Sequence, residues 1–280
     1  MAIRIITDST SDIPVEQQQF LGIDIVPLSV IFGDKRYTDG IDLKKEQFYE
    51  MLSKSTSLPT TSQVNPDGFE SLFKSYTDAG DTVIGIFISS KLSGTYQSAI
   101  IAKETVGSDR IFIVDSKSAT FGLALLVYEA IKLRDNGVSA EEIYNTLVSL
   151  SSRVKFYAVV NTLKYLKMGG RLSSSAAILG GVLQIKPLVS IVDGEVKSVA
   201  KERGQKAAFS WILEKLKKDE PDMRYPFALG HSNALEVMEE FIAYITPSIE
   251  VKNPIICEIG CVIGTHSGPG CVGLAYIPKG

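Results

Sequence analysis

Short β-branched runs alternate with amphipathic stretches through the first half of the chain, and that alternation predicts the elements. Arg4 to Thr7 reads as a buried strand ending in Asp8-Ser9-Thr10-Ser11-Asp12, after which Pro14 opens a short helix closed near Gly22. Ile23 to Phe32 reads as a single second strand and Gly33-Asp34-Lys35 as a turn. Asp42 is expected to cap a helix whose Phe48, Met51 and Leu52 share one face. Leu58 to Gln63 reads as a hydroxyl-rich loop, and Asn65-Pro66 supplies an N-cap and first-turn proline for a helix closed by Gly80. Val83 to Ser89 is the third strand and Arg110 to Val114 the fourth. The fourth leads through Asp115-Ser116 into an apolar helix that stops at Asn136-Gly137.

The texture changes after the next helix, which the Ser139-Ala140-Glu141-Glu142 capping box starts and which runs to about Val154. Phe156 to Val160 reads as a strand, Leu163 to Met168 as a helical turn, and Gly169-Gly170-Arg171 as a break. Ile178 to Leu183 is apolar and glycine-rich. Lys186 to Val192 and Glu195 to Ala200 flank Asp193-Gly194, a type I′ hairpin signal. A helix over Gln205 to Lys218, a strand over Pro226 to His231 and a helix over Leu235 to Ile245 follow. Two last strands, Ile255 to Cys261 and Cys271 to Ile277, bracket a loop over Ile263 to Gly270. Four strands precede Val154 and six follow it. The expected fold is therefore α/β in two domains: residues 1–154 an α/β/α layer with a mainly parallel sheet, residues 155–280 an α/β domain with a mixed six-stranded sheet.

Composition narrows the function classes. A chain of 280 residues can bury a large core, and a formal net charge of −3 gives no basic field, which argues against nucleic acid as a partner. Met1 to Ile6 is too short and too soon followed by Asp8 to be a signal peptide, and no apolar run approaches the roughly 18 residues of a membrane span. Cys257, Cys261 and Cys271 fall in apolar runs where a thiol packs as a small hydrophobe, which fits a reducing cytoplasm; a zinc site from these three and His266 is the weaker reading.

Three loops share one chemistry: Thr60-Thr61-Ser62-Gln63, Ser89 to Gly94, and Thr265-His266-Ser267-Gly268. Each offers hydroxyls, amides or an imidazole and no carboxylate, a set suited to an anion. Ser93-Gly94 lies between a strand and a helix, where α/β sheets bind ligands, although capping of its own helix explains Ser93 as well. Asp8, Asp12 and Asp115 follow parallel strands; local capping is favoured there over a metal or phosphotransfer site. His231 is read as structural. The chain has neither a Gly-x-Ser-x-Gly elbow nor a phosphate loop ending in Gly-Lys-Ser/Thr. An esterase-like triad of Ser93, His266 and Asp115 remains the enzymatic alternative. Lys167, Arg171, Lys201 and Arg203 form a basic edge able to meet an acidic partner.

Seven motifs in order carry a resemblance. They are Thr7 to Asp12, Thr61-Ser62-Gln63, Leu92 to Tyr96, Val114-Asp115-Ser116, Leu166 to Arg171, Ile185-Lys186-Pro187, and Ile263 to Gly270. Together, over nearly the whole chain, the sequence resembles the DegV family of bacterial fatty acid-binding proteins, including the FakB type that serves a fatty acid kinase. One departure is Val64, where many members have proline after Thr-Ser-Gln. The resemblance implies one long-chain fatty acid at the junction of the two domains, its carboxylate near Thr61, Ser62, Ser93, Gly94 and His266 and its tail in an apolar tunnel. It further implies no metal, no cofactor beyond that ligand and no turnover by the protein itself. A separate ATP-dependent kinase, docking near Arg171 and Arg203, would phosphorylate the presented carboxylate on the way to phospholipid. A regulatory lipid sensor acting through the same two arginines is the third reading.

Overall fold

The computed structural model describes residues 1–173, 184–251 and 253–280, so the apolar stretch Ile178 to Leu183 lies outside the described residues. In chain order the elements are β1 (Ile3–Asp8), α1 (Gln18–Leu21), β2 (Ile23–Val26), β3 (Ser29–Phe32), β4 (Lys35–Thr38), α2 (Lys45–Lys54), β5 (Thr60–Ser62), α3 (Pro66–Asp78), β6 (Thr82–Phe87), α4 (Thr95–Val106), β7 (Ile111–Asp115), α5 (Thr120–Asp135) and α6 (Ala140–Ser151). The second half continues with β8 (Lys155–Val159), α7 (Lys164–Met168), β9 (Ile185–Val192), β10 (Glu195–Arg203), α8 (Gln205–Lys218), β11 (Ala228–His231), α9 (Leu235–Ile245), β12 (Ile255–Glu258), α10 (Cys261–Ser267) and β13 (Val272–Tyr276).

Three of the strands expected in the first half, with the first part of the one read over Ile23 to Phe32, form one parallel sheet of order β2-β1-β6-β7. Its strands are apolar on both faces because both faces are covered. Ile5 packs with α5 and α6 on one side, while its neighbour Ile6 packs with Phe69 and Phe73 of α3 on the other. The six strands of the second half form one mixed sheet, β10-β9-β8-β13-β11-β12, antiparallel throughout except for the β11/β12 pair. Helices α8 and α9 cover its outer face. Helix α5 packs against β1 and β6 of the first sheet and against β11, β12 and β13 of the second. Enclosure on all sides explains why it is apolar around its circumference. Phe121 at its start stacks on Phe156 of β8, with ring centroids 4.4 Å apart, and so joins the two sheets. At the β9/β10 hairpin Asp193 and Gly194 have φ of 53° and 83°, as a type I′ turn demands. The Gly194 carbonyl accepts from Ser89 Oγ at 2.8 Å, which seats the hairpin on the loop after β6.

Several expectations are corrected. Ile23 to Phe32 is two strands in different sheets, because Pro27 lacks an N–H and interrupts the ladder. β3 turns into a three-stranded antiparallel sheet of order β4-β3-β5 that the hydrophobic pattern did not reveal. Its third strand is the stretch read as the Thr60 to Gln63 loop. Asp42 does not cap α2; it accepts the Thr38 N–H within the loop after β4. The strand read as reaching Cys261 stops at Glu258, and most of the expected Ile263 to Gly270 loop is helix α10.

The three aspartates after parallel strands secure loops. Asp8 Oδ2 accepts the Ile88 N–H at 2.8 Å, tying the end of β1 to that of β6, and its Oδ1 accepts the Thr10 N–H at 2.9 Å. Asp115 accepts from the N–H groups of Ser90 and Lys117. Asp12 Oδ1 accepts the Gly260 N–H at 2.8 Å. Burial raises the Asp12 carboxyl from its usual 3.8 to about 7, opposed by the nearby Lys45 cation. The folded state thus holds a proton that the unfolded chain releases between pH 4 and 7, so this group's contribution to stability falls as pH rises through that window. Asp12→Asn keeps an acceptor oxygen and tolerates the left-handed φ of 56° at this position. Urea unfolding at stepped pH is expected to show wild-type stability falling relative to Asp12→Asn from about pH 4 to about pH 7 and level above it; a flat difference contradicts the assignment.

Candidate ligand-binding site

A cavity of about 280 Å³ opens between the parallel sheet, the three-stranded sheet and the inner face of the mixed sheet. Thr61, Ser62, Ser93, Gly94 and His266 all line it, so the five residues singled out from three distant loops share one space. Arg171 lines the same cavity. Gln63, Thr120 and Ser267 also line it, and the rest of the wall is apolar: Phe156 and Ala158 of β8, Val189 and Ile191 of β9 and Val196 of β10 face inward, with Val262 and Ile263 of α10. Among the described residues, no aspartate or glutamate lines the cavity.

The polar end is held by close packing. Thr61 is fixed by the antiparallel register of β5 against β3, opposite Val30. His266 sits in the last turn of α10, and its Nε2 lies 3.0 Å from Thr61 Oγ1 across 205 residues of sequence. Helix α4 begins at Thr95 with Gly94 as its cap residue. A Cβ at Gly94 would lie 2.1 Å from Gln63 Oε1, so a side chain there would push the Gln63 amide out of its place between the end of β5 and the start of α4. Gln63 Nε2 then donates to Ser98 Oγ at 3.0 Å, fastening the two segments. Ser93 Oγ lies 3.0 Å from Thr95 Oγ1 and accepts the Thr95 N–H at 3.3 Å. Ser93 therefore does take part in local capping while also lining the cavity.

Electrostatically this end is neutral to positive. Burial, with the Arg171 charge adding to it, pushes His266 down to about 4, so the imidazole is uncharged at neutral pH. Its Nδ1 is buried without a hydrogen-bond partner. A Cβ at Gly169 would lie 2.1 Å from that nitrogen, so the Gly169-Gly170-Arg171 break packs directly on the ring. Arg171 donates from Nη1 to the Gly169 carbonyl at 2.6 Å and from Nε to the Leu92 carbonyl at 3.2 Å. The arginine read from sequence as partner-facing is thus half-buried at the cavity, whereas Arg203 is exposed at the end of β10. Hydroxyls, a neutral imidazole and a guanidinium without a competing carboxylate suit a bound anion.

The structure does not assemble the esterase-like triad. Ser93 bonds to Thr95 and His266 to Thr61, while Asp115 is engaged by Ser90 and Lys117. Ser89, grouped with Ser93 in the sequence, is fully buried on the Gly194 carbonyl. His231 is buried and accepts the Ala234 N–H through Nδ1 at 3.3 Å, a structural placement. Cys257, Cys261 and Cys271 are buried free thiols, and no group of three or more metal-ligating side chains occurs among the described residues. No helix among them is long and apolar enough to cross a membrane. Sequence reasoning missed Thr120, the packing of Gly169 on the imidazole and the cavity-facing side of Arg171; the Gly169-Gly170 pair beside Arg171 was the available signal.

Residues 2–279 match the family model described as "Uncharacterised protein, DegV family". A DegV domain-containing protein of Caldanaerobacter subterraneus subsp. tengcongensis is 40% identical over 278 residues, 99% of each chain. The solved structure of DegV, a fatty acid binding protein from Bacillus subtilis, superposes with a TM-score of 0.83 at 33% identity over 100% of both chains. A stearic acid-binding protein from Eubacterium ventriosum gives a TM-score of 0.90 at 29% identity, covering 100% of this chain and 99% of the other. On the family match along almost its whole length, and on relatives this similar, the chain belongs to the DegV family.

Proposed function

We propose that the protein binds one long-chain fatty acid in this cavity and presents its carboxylate to a separate ATP-dependent kinase. The observation that carries the reading is the meeting of Thr61 and His266 at 3.0 Å, with Ser93 and Gly94 lining the same cavity, whose wall is largely apolar and includes Phe156, Val189 and Ile191. Relatives of the same fold bind fatty acids, stearic acid among them. Thr61, Ser62, Ser93, Gly94 and His266 take the head group and the apolar wall takes the tail.

The division of labour follows from magnitudes. Burial of each methylene contributes about 0.8 kcal/mol, so a long acyl chain supplies on the order of 10 kcal/mol before the costs of association are subtracted. A hydrogen bond to a carboxylate adds only about 1.5–3 kcal/mol. The tail therefore gives affinity, while the hydroxyls and imidazole give orientation. With no carboxylate or activated serine at the polar end, the protein acts as a carrier, and phosphoryl transfer to the bound acid is the partner's chemistry. Arg203, exposed at the far end of β10 from Val196, where the Arg171 segment bridges to that strand, offers the kinase a cationic group.

Protein purified from bacterial cells, denatured and extracted, is expected to release a long-chain fatty acid in near-stoichiometric amount by mass spectrometry; a blank extract contradicts the carrier function. Ser93→Ala is expected to weaken fatty acid binding and kinase-dependent phosphorylation by about tenfold with unchanged circular dichroism. Unchanged binding and phosphorylation remove Ser93 from the site.

A further inference from the structure

The Thr7 to Asp12 motif does not touch the cavity, yet it reaches the helix that carries His266. Helix α10 is short, and its sequence, Cys261-Val262-Ile263-Gly264-Thr265-His266-Ser267, contains a glycine and three β-branched residues that disfavour an isolated helix. Its geometry must come from outside. At its start the Gly260 N–H donates to Asp12 Oδ1 at 2.8 Å and the Cys261 N–H donates to Asp39 Oδ1 at 3.2 Å. Just before it, Tyr49 donates to the Ile259 carbonyl at 2.9 Å and Lys45 to the Glu258 carbonyl at 2.6 Å. Asp12 and Asp39 are both buried, and both belong to the first half of the chain. From Gly260 to His266 is six residues, about 9 Å at 1.5 Å per residue. The aspartates thus grip one end of a strut whose other end presents the imidazole to Thr61.

We propose that Asp12 and Asp39 are positioning residues for head-group recognition, acting through helix α10 to hold His266 at Thr61. This rests on the fatty acid reading and deepens it. Two orphan N–H groups of the first turn are satisfied by acceptors that cannot follow α10 if it moves, so its axis is fixed relative to β5. Gly260 is part of the fit, since a Cβ there would lie 2.8 Å from Asp12 Oδ1 and displace the carboxylate. Losing this grip lets α10 rotate or slide and loosens the Thr61–His266 pair; Val262 and Ile263 of the same helix shift with it, while the part of the apolar wall formed by Phe156, Val189, Ile191 and Val196 stays in place.

The test separates head from tail. Affinities for stearic acid and for methyl stearate, which keeps the tail but lacks the anionic head, are measured by calorimetry on wild type, Asp39→Ala, Asp39→Asn and Gly260→Ala. Expected is a loss of about tenfold for the acid in Asp39→Ala and Gly260→Ala, a clearly smaller loss for the ester, and recovery in Asp39→Asn, which retains an acceptor oxygen. Gly260→Ala decides the matter if Asp39→Ala does not fold. Equal losses for acid and ester, or unchanged acid binding in the variants, overturn the positioning role. Failure of wild type to bind either lipid instead overturns the fatty acid reading on which it rests.

Discussion

A single hydrogen bond, between Thr61 Oγ1 and His266 Nε2, closes the polar end of the cavity and joins β5 to α10 across 205 residues of sequence. Its own net worth is modest, roughly 1 kcal/mol for a typical intramolecular bond. Its position is nevertheless over-determined. β5 is held by register against β3, the start of α4 is pressed on Gln63 through Gly94, and α10 is capped from afar by Asp12 and Asp39. Residues that look unrelated to ligand chemistry therefore set its geometry, and the glycines mark where segments must come within van der Waals contact of a polar side chain.

The electrostatics suit recognition of an anion. An imidazole pushed down to about 4 remains neutral across the physiological range and serves as a fixed hydrogen-bonding group. Arg171 adds a nearby positive charge whose own hydrogen bonds go to main-chain carbonyls, so it lends charge to the site without being sequestered by a carboxylate. A cavity with one polar end and one apolar wall matches an amphiphile in which the two contributions act on different parts of the molecule.

Much of this was legible in the sequence, for physical reasons. The strands of the parallel sheet read clearly because burial on both faces makes them continuous apolar runs, and Asp193-Gly194 announced its hairpin because few residue pairs accept two positive φ angles. The three-stranded sheet was invisible because Lys35 to Thr38 and Thr60 to Ser62 are polar and become strands only by pairing with β3. Helix α10 was read as a loop because Gly264 and its β-branched neighbours oppose helix formation, while the aspartates that hold it lie more than two hundred residues away. The site residues were found as three hydroxyl-rich segments, but their convergence was a tertiary fact that spacing alone does not contain.

The most direct measurement is the structure of the protein with a long-chain fatty acid bound, solved by crystallography. The expected density places the carboxylate within hydrogen-bonding distance of Thr61 and Ser93, close to His266, with the hydrocarbon tail running along Phe156, Val189 and Ile191. A carboxylate found away from these side chains, or a tail lying outside that wall, contradicts the shared head-group site.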